Sequence, residues 1–161
     1  MEKVTDGLIA MIERLKPFLK EGKSVLLPIY GRSMRPFIIG GEDKALLLPV
    51  KSPVEVGDIV LAWVDGRRYV LHRVVKTAGD SVTLEGDGNT IGEEHCSQAD
   101  VVAKVEEVVR PDGRKKNLVS VAAMRGWRVW MALKPFRRIM LKAFSVLVLG
   151  EPIRQKKQQR T

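Results

Sequence analysis

The chain has 161 residues, 28 Lys and Arg against 19 Asp and Glu, and 45% hydrophobic residues. That is the make-up of one globular domain with a core of its own, and too little chain for two ordinary domains. A single cysteine, Cys96, excludes an internal disulfide, and no stretch approaches the ~20 consecutive apolar residues of a membrane span.

Residues 1–22 carry charges throughout, so no secretory leader is expected there. Val4, Leu8, Met11, Ile12, Leu15, Phe18 and Leu19 instead recur at helical spacing, which predicts an N-terminal amphipathic helix over 1–22 lying on the body. Pro17 is expected to kink or end it, and Glu21-Gly22 to close it. From Ser24 the pattern turns to short strands: Ser24 to Tyr30, Ala45 to Val50, Ile59 to Val64, Arg68 to Lys76, Ser81 to Glu85, Val101 to Arg110 and Lys116 to Val121. Asp65-Gly66 and Pro111-Asp112-Gly113 between them are hairpin and turn signals. Even spacing of short strands predicts a mostly β body, a barrel or pair of sheets, spanning 23–121.

After residue 121 the character changes. Residues 122–150 predict helices interrupted at Pro135, with an apolar stripe of Phe136, Ile139, Met140, Ala143, Phe144 and Leu147 beside Arg137, Arg138 and Lys142. Residues 151–161 read as a disordered basic tail. Charge follows the same division. Residues 1–109 hold 14 basic and 17 acidic side chains, and residues 110–161 hold 14 basic ones with only Asp112 and Glu151 against them. Cations beside an apolar stripe, with Trp127 and Trp130 upstream, suit an anionic membrane surface. The alternative is a stripe packed on the body or on a second copy of the chain. Nucleic acid is the less suitable partner.

Serine becomes a useful nucleophile only with a base in hydrogen-bond reach, a group orienting that base, and donors for the oxyanion. Ser33 lies in a turn between Gly31 and Pro36, His72 on the aliphatic run Tyr69 to Val75, and Asp87 between glycines in Glu85-Gly86-Asp87-Gly88-Asn89. Each alone reads more readily as an ordinary turn or core residue. His95-Cys96 offers two adjacent ligands without a second pair, poor spacing for zinc.

Taken together and in order, the segments Gly31-x-Ser33-Met34-x-Pro36, Gly57-Asp58-Ile59-Val60, His72-Arg73-Val74, Gly86-Asp87-x-Asn89 and Val102-x-Lys104-Val105 resemble the boxes of type I signal peptidases. These form one serine-peptidase superfamily with the LexA-like self-cleaving repressors. The resemblance covers about residues 25 to 109. It implies a strand-rich catalytic barrel and peptide-bond hydrolysis without metal or other cofactor. Ser33 would be the nucleophile, its backbone N–H an oxyanion donor, and His72 the base, as in the histidine branch typical of endoplasmic-reticulum and archaeal enzymes. Lys76, four residues further along the strand, is a minor alternative base. The family acid falls at Asp87 or, a few residues later, near Glu93 or Glu94; Asp87 is favoured and Glu93 is the fallback.

Family members normally carry a transmembrane anchor before the serine box, where only the amphipathic helix over 1–22 is expected here, and the large substrate-binding insert of the bacterial enzymes is missing between the boxes. The expectation is therefore an endopeptidase that trims a leader or precursor peptide, cytoplasmic or peripheral on the inner face of the cell membrane. A LexA-like self-cleaving regulator and a non-catalytic binding module on the same fold are the alternatives.

Overall fold

The computed structural model describes residues 2–150, with side chains from residue 7 onward; the basic tail expected at 151–161 lies outside the described residues. The elements in chain order are α1 (Glu2–Lys20), β1 (Val25–Pro28), β2 (Lys44–Leu48), β3 (Ile59–Val64), β4 (Arg68–Ala78), β5 (Ser81–Glu85), β6 (Glu94–Ser97), β7 (Val101–Val109), β8 (Lys115–Asn117), α2 (Val121–Ala132) and α3 (Arg137–Leu147).

The strands form one antiparallel sheet in the order β1-β2-β7-β3-β4-β5-β6, with β8 added to β7. The sheet curls into a half-barrel flanked by α1 and the two C-terminal helices. With three helices of this length, the chain is mixed α/β rather than mostly β, and the strands that were expected to close a barrel leave it open. The apolar periodicity of the helices is legible in the sequence; how much of the fold they make up is not.

Local chemistry accounts for most elements. The hairpin between β3 and β4 turns on Asp65 and Gly66, with φ of 56° and 64°, the pair of positive angles that a two-residue hairpin of matching twist requires. Pro17 sits inside α1 without ending it. The helix stops instead at Gly22, φ 82°, where Gly22 and Lys23 N–H groups bond the Leu19 and Phe18 carbonyls at 3.0 Å each. Ile12 and Leu19 of α1 are buried in a core with Leu27, Ile38, Leu47 and Leu61, which fixes the helix on the body. A second apolar cluster, including Val60, Val74, Val82 and Leu84, lies among β3, β4 and β5.

β6 was not expected. Glu94-His95-Cys96-Ser97 has no alternating apolar pattern, and it is a strand because it pairs with β5, Leu84 opposite Glu94 and Val82 opposite Cys96. A bulge in β4 between Val74 and Lys76 also escaped the sequence reading.

The C-terminal helices break near Pro135, as the sequence implies: α2 is capped by Ser120, whose hydroxyl accepts from Ala123 N–H at 3.3 Å, and a 3-10 turn over Lys134–Phe136 leads into α3. Three residues expected on the outside turn inward. Trp127 and Trp130 are buried, and Arg137, placed by periodicity beside the exposed stripe, is fully buried. Arg137 Nη1 donates to the Glu85 carboxylate and, at 2.7 Å, to the Asn89 carbonyl, while Lys134 Nζ reaches the other Glu85 oxygen at 2.8 Å. An arginine shares the helical spacing of its neighbours whether it faces water or a carboxylate, so only the packing of β5 beneath α3 separates the two.

Removing one partner of a buried ion pair strands the other charge. Arg137→Ala is therefore expected to cost about 3 kcal/mol or more of unfolding free energy, whereas Arg138→Ala one position along, exposed to solvent, is expected to change it by less than about 0.5 kcal/mol. Chemical denaturation of both variants measures the contrast.

Candidate functional site

The segment between β1 and β2 carries Ser33. Gly31 opens it at φ 87°. At its far end a Cβ on Gly40 would lie 2.0 Å from the Gly31 carbonyl oxygen, so the two ends of the loop cross in backbone contact that only glycine permits. Within it, Phe37 and Ile38 N–H groups return to the Met34 carbonyl at 3.1 and 3.0 Å, and buried Met34 and Ile38 seat the loop on the core. Asp43 closes the excursion: buried, it accepts from Ile39 N–H at 2.7 Å and from Arg110 at 2.7 and 2.9 Å.

The Gly86–Asn89 turn holds this loop from below. Gly88 N–H donates to the Ser33 carbonyl at 2.6 Å. A Cβ at Gly88 would come within 2.6 Å of the Arg32 carbonyl, and one at Gly86 within 2.6 Å of the Ser33 carbonyl. Both glycines are thus demanded by backbone-to-backbone approach. The Ser33 N–H donates to no described residue, which leaves it available to an incoming oxygen.

Ser33, His72 and Glu94 line one cavity of about 320 Å³ whose wall includes Ile12 of α1, Leu27 of β1 and Met34 of the loop. Ser33 is half-buried and His72 is buried. No hydrogen bond joins the Ser33 hydroxyl to His72 among the described residues, so the expected contact is present as a shared cavity and not as a formed bond. Such bonds often close only with substrate in place.

The carboxylate that meets His72 is Glu94. His72 Nδ1 lies 2.9 Å from Glu94 Oε2, and Glu94 Oε1 faces Arg68 Nη2 at 3.5 Å. Arg68 and His72, four residues apart on β4, therefore meet the same carboxylate. The favoured expectation, Asp87, is corrected. Asp87 is bound to Arg73, with Nε at 2.9 and 3.1 Å from its two oxygens and Nη2 at 2.8 Å from Oδ2. The physical reason is strand alternation. Neighbours on β4 face opposite sides of the sheet, so His72 looks into the cavity while Arg73 looks away from it, and Asp87 lies on Arg73's side. Glu93, the fallback, is exposed and does not meet His72; one residue further, Glu94 is turned inward by the pairing of β6 with β5. Burial holds the Asp87 carboxyl above the ordinary aspartate range, and the Arg73 guanidinium offsets only part of that rise.

Lys76 is exposed and does not line the cavity. The bulge at Val74/Lys76 shifts its register by one residue, so a spacing of four no longer means the same face. His95 Nδ1 lies 3.3 Å from Thr83 Oγ1, and among the described residues no three His, Cys, Asp or Glu side chains gather as metal ligands. A larger cleft of about 610 Å³ lies beyond Tyr69, lined by Lys16, Lys20, Lys51, Trp63 and Asp100, but it holds neither Ser33 nor His72. Its greater volume does not make it the reactive site.

The remaining boxes of the sequence are scaffold. Gly57, at φ 104°, gives its carbonyl to Arg73 Nη1 at 2.8 Å. Asp58 accepts from Glu55 N–H at 2.9 Å and pairs with Lys104 at 2.7 Å, which accounts for the acid and the lysine in two of the segments.

Two outcomes follow, one at Asp87 and one at Cys96. Asp87→Ala is expected to destabilise the fold by about 3 kcal/mol or more, because Arg73 is left buried and unpaired; a denaturation midpoint close to the parent's would refute this. Burial, reinforced by the Asp100 and Asp80 carboxylates, pushes the Cys96 thiol up to about 11. Near neutral pH its alkylation by iodoacetamide is expected to run on the order of a hundredfold slower than that of a free thiol, and to accelerate as pH rises toward that value. Denaturant is expected to abolish the difference. Neither the models of known protein families nor the curated proteins match this chain.

Proposed function

We propose that the chain is a serine endopeptidase of the signal-peptidase-like superfamily, in its histidine branch, with Ser33 as nucleophile, His72 as base and Glu94 as orienting acid. The observation that carries this reading is the meeting of Ser33, His72 and Glu94 on one partly apolar cavity, with the carboxylate 2.9 Å behind the imidazole. The boxes that resemble those of signal peptidases support it, because the two that bear chemistry face that cavity.

The mechanism follows from the roles. An extended peptide seats its scissile carbonyl against Ser33. Ser33 Oγ attacks the carbonyl carbon as His72 Nε2 takes the hydroxyl proton, and the carbonyl π electrons move onto oxygen. Glu94 at Nδ1 holds the imidazole so that Nε2 is the accepting nitrogen, and it stabilises the imidazolium that forms. Ser33 N–H faces the developing oxyanion. The imidazolium then passes its proton to the leaving amine nitrogen as the C–N bond breaks, leaving an acyl ester on Ser33. Water, deprotonated by His72, hydrolyses the ester and returns the serine. No step draws on Asp87.

The substrate class is a leader or precursor peptide supplied in extended form. Self-cleavage and a purely binding role on the same fold are tested together with this reading. A serine-directed fluorophosphonate is expected to add its mass to Ser33 of the full chain, and Ser33→Ala to abolish the adduct. His72→Ala is expected to suppress labelling, and Glu94→Gln to lower its rate about 10²–10⁴-fold with the fold intact. An unlabelled parent chain would refute catalysis and favour a binding module. A chain that shortens on incubation without added peptide would favour self-cleavage.

A further inference from the structure

We propose that the outer face of α3 docks the protein on an anionic membrane surface, whatever the chemistry at Ser33. Phe136, Ile139 and Leu147 are 59%, 70% and 82% exposed. With exposed Ala143 they fall at successive turns along one side of the helix. A contiguous apolar stripe left open to water is unfavourable unless something covers it. Arg138 and Lys142 are exposed beside it, and Arg125 and Arg128 are exposed on α2. None of these four cations forms a salt bridge with a described residue, and residues 113–150 contain no Asp or Glu.

The opposite side of α3 is fixed to the body. Arg137 is buried on Glu85 and the Asn89 carbonyl, and Ser145 Oγ accepts from Arg35 Nη1 at 3.3 Å. The roll of the helix is therefore set, and the apolar stripe points outward without any part of the fold having to open. Among the described residues no helix is long and apolar enough to cross a membrane, so docking would be in the plane of the interface, with the stripe among acyl chains and the cations at headgroup phosphates.

Charge decides between occupants. Two copies packed stripe to stripe by a two-fold axis would gather the cations of both helices along one seam, with no acid on either helix to offset them. An anionic lipid surface meets the same cations with opposite charge and accepts the stripe as well.

Flotation of the full-length chain with vesicles tests this. Phosphatidylcholine vesicles containing phosphatidylglycerol are expected to carry the protein up at low salt, pure phosphatidylcholine to leave it behind, and added salt to release it. Ile139→Asp, and separately Arg138→Glu with Lys142→Glu, are each expected to weaken binding about tenfold or more while the circular dichroism and thermal midpoint stay at parent values. Leu147→Asp is a second probe of the stripe should Ile139→Asp perturb the fold. A parent chain that does not float with anionic vesicles overturns the proposal. So does binding undiminished in the folded variants, which would place the contact elsewhere. A concentration-dependent dimer dissolved by Ile139→Asp, without vesicle binding, would assign the face to a second copy.

Discussion

The buried ion pair between Arg73 and Asp87 is the interaction on which the rest of this structure depends. Both side chains are almost wholly withdrawn from water, and two charges placed there are tolerated only when each is matched and its remaining donors are used. Both conditions hold. The guanidinium binds the carboxylate at two points and the Gly57 carbonyl at a third, and its flat faces lie near the rings of Phe37 and Trp127, 5.4 and 5.1 Å from the centroids. One side chain thus joins the middle of β4, the segment entering β3, the turn after β5, the loop carrying Ser33 and helix α2.

That junction has a consequence for the cavity on the other side of the sheet. Arg73 and His72 are neighbours, so whatever fixes the first fixes the backbone that presents the second. Asp87 in turn fixes the turn whose Gly88 N–H holds the Ser33 carbonyl. Ser33 and His72, nearly forty residues apart in the chain, are positioned by two ends of the same ion pair. The C-terminal helices add to the same support: Trp130 Nε1 donates to the Asp87 carbonyl at 2.7 Å, and Arg137 to that of Asn89. A turn made of small residues with little apolar surface of its own is held from above and below by hydrogen bonds to its main chain.

Two faces of one strand therefore carry different tasks. The face with Arg73 is closed, satisfied and structural. The face with Arg68 and His72 opens on a cavity and shares Glu94, a partly buried carboxylate delivered by the short strand β6. In α3 a similar division appears at the level of a helix, with Arg137 turned to the body and Ile139 to the outside.

The sequence by itself determined the elements whose signals are local. Apolar spacing marked α1, Asp65-Gly66 the hairpin, Pro135 the break between helices, and the Gly-Ser-Pro and His-Arg segments the two residues that share the cavity. What it left to tertiary structure was every choice that depends on a partner distant in sequence. Whether a glycine-framed aspartate serves a histidine or an arginine depends on which side of β4 it approaches, and adjacent residues on a strand face opposite ways. Whether Glu93 or Glu94 turns inward depends on the pairing of a polar segment that has no periodicity of its own and becomes a strand only against β5. Lys76 kept its spacing from His72 but lost its face to a bulge that no residue type announces. Arg137 and Arg138 are the same residue at consecutive positions; only the Glu85 carboxylate beneath the helix makes one buried and leaves the other in water.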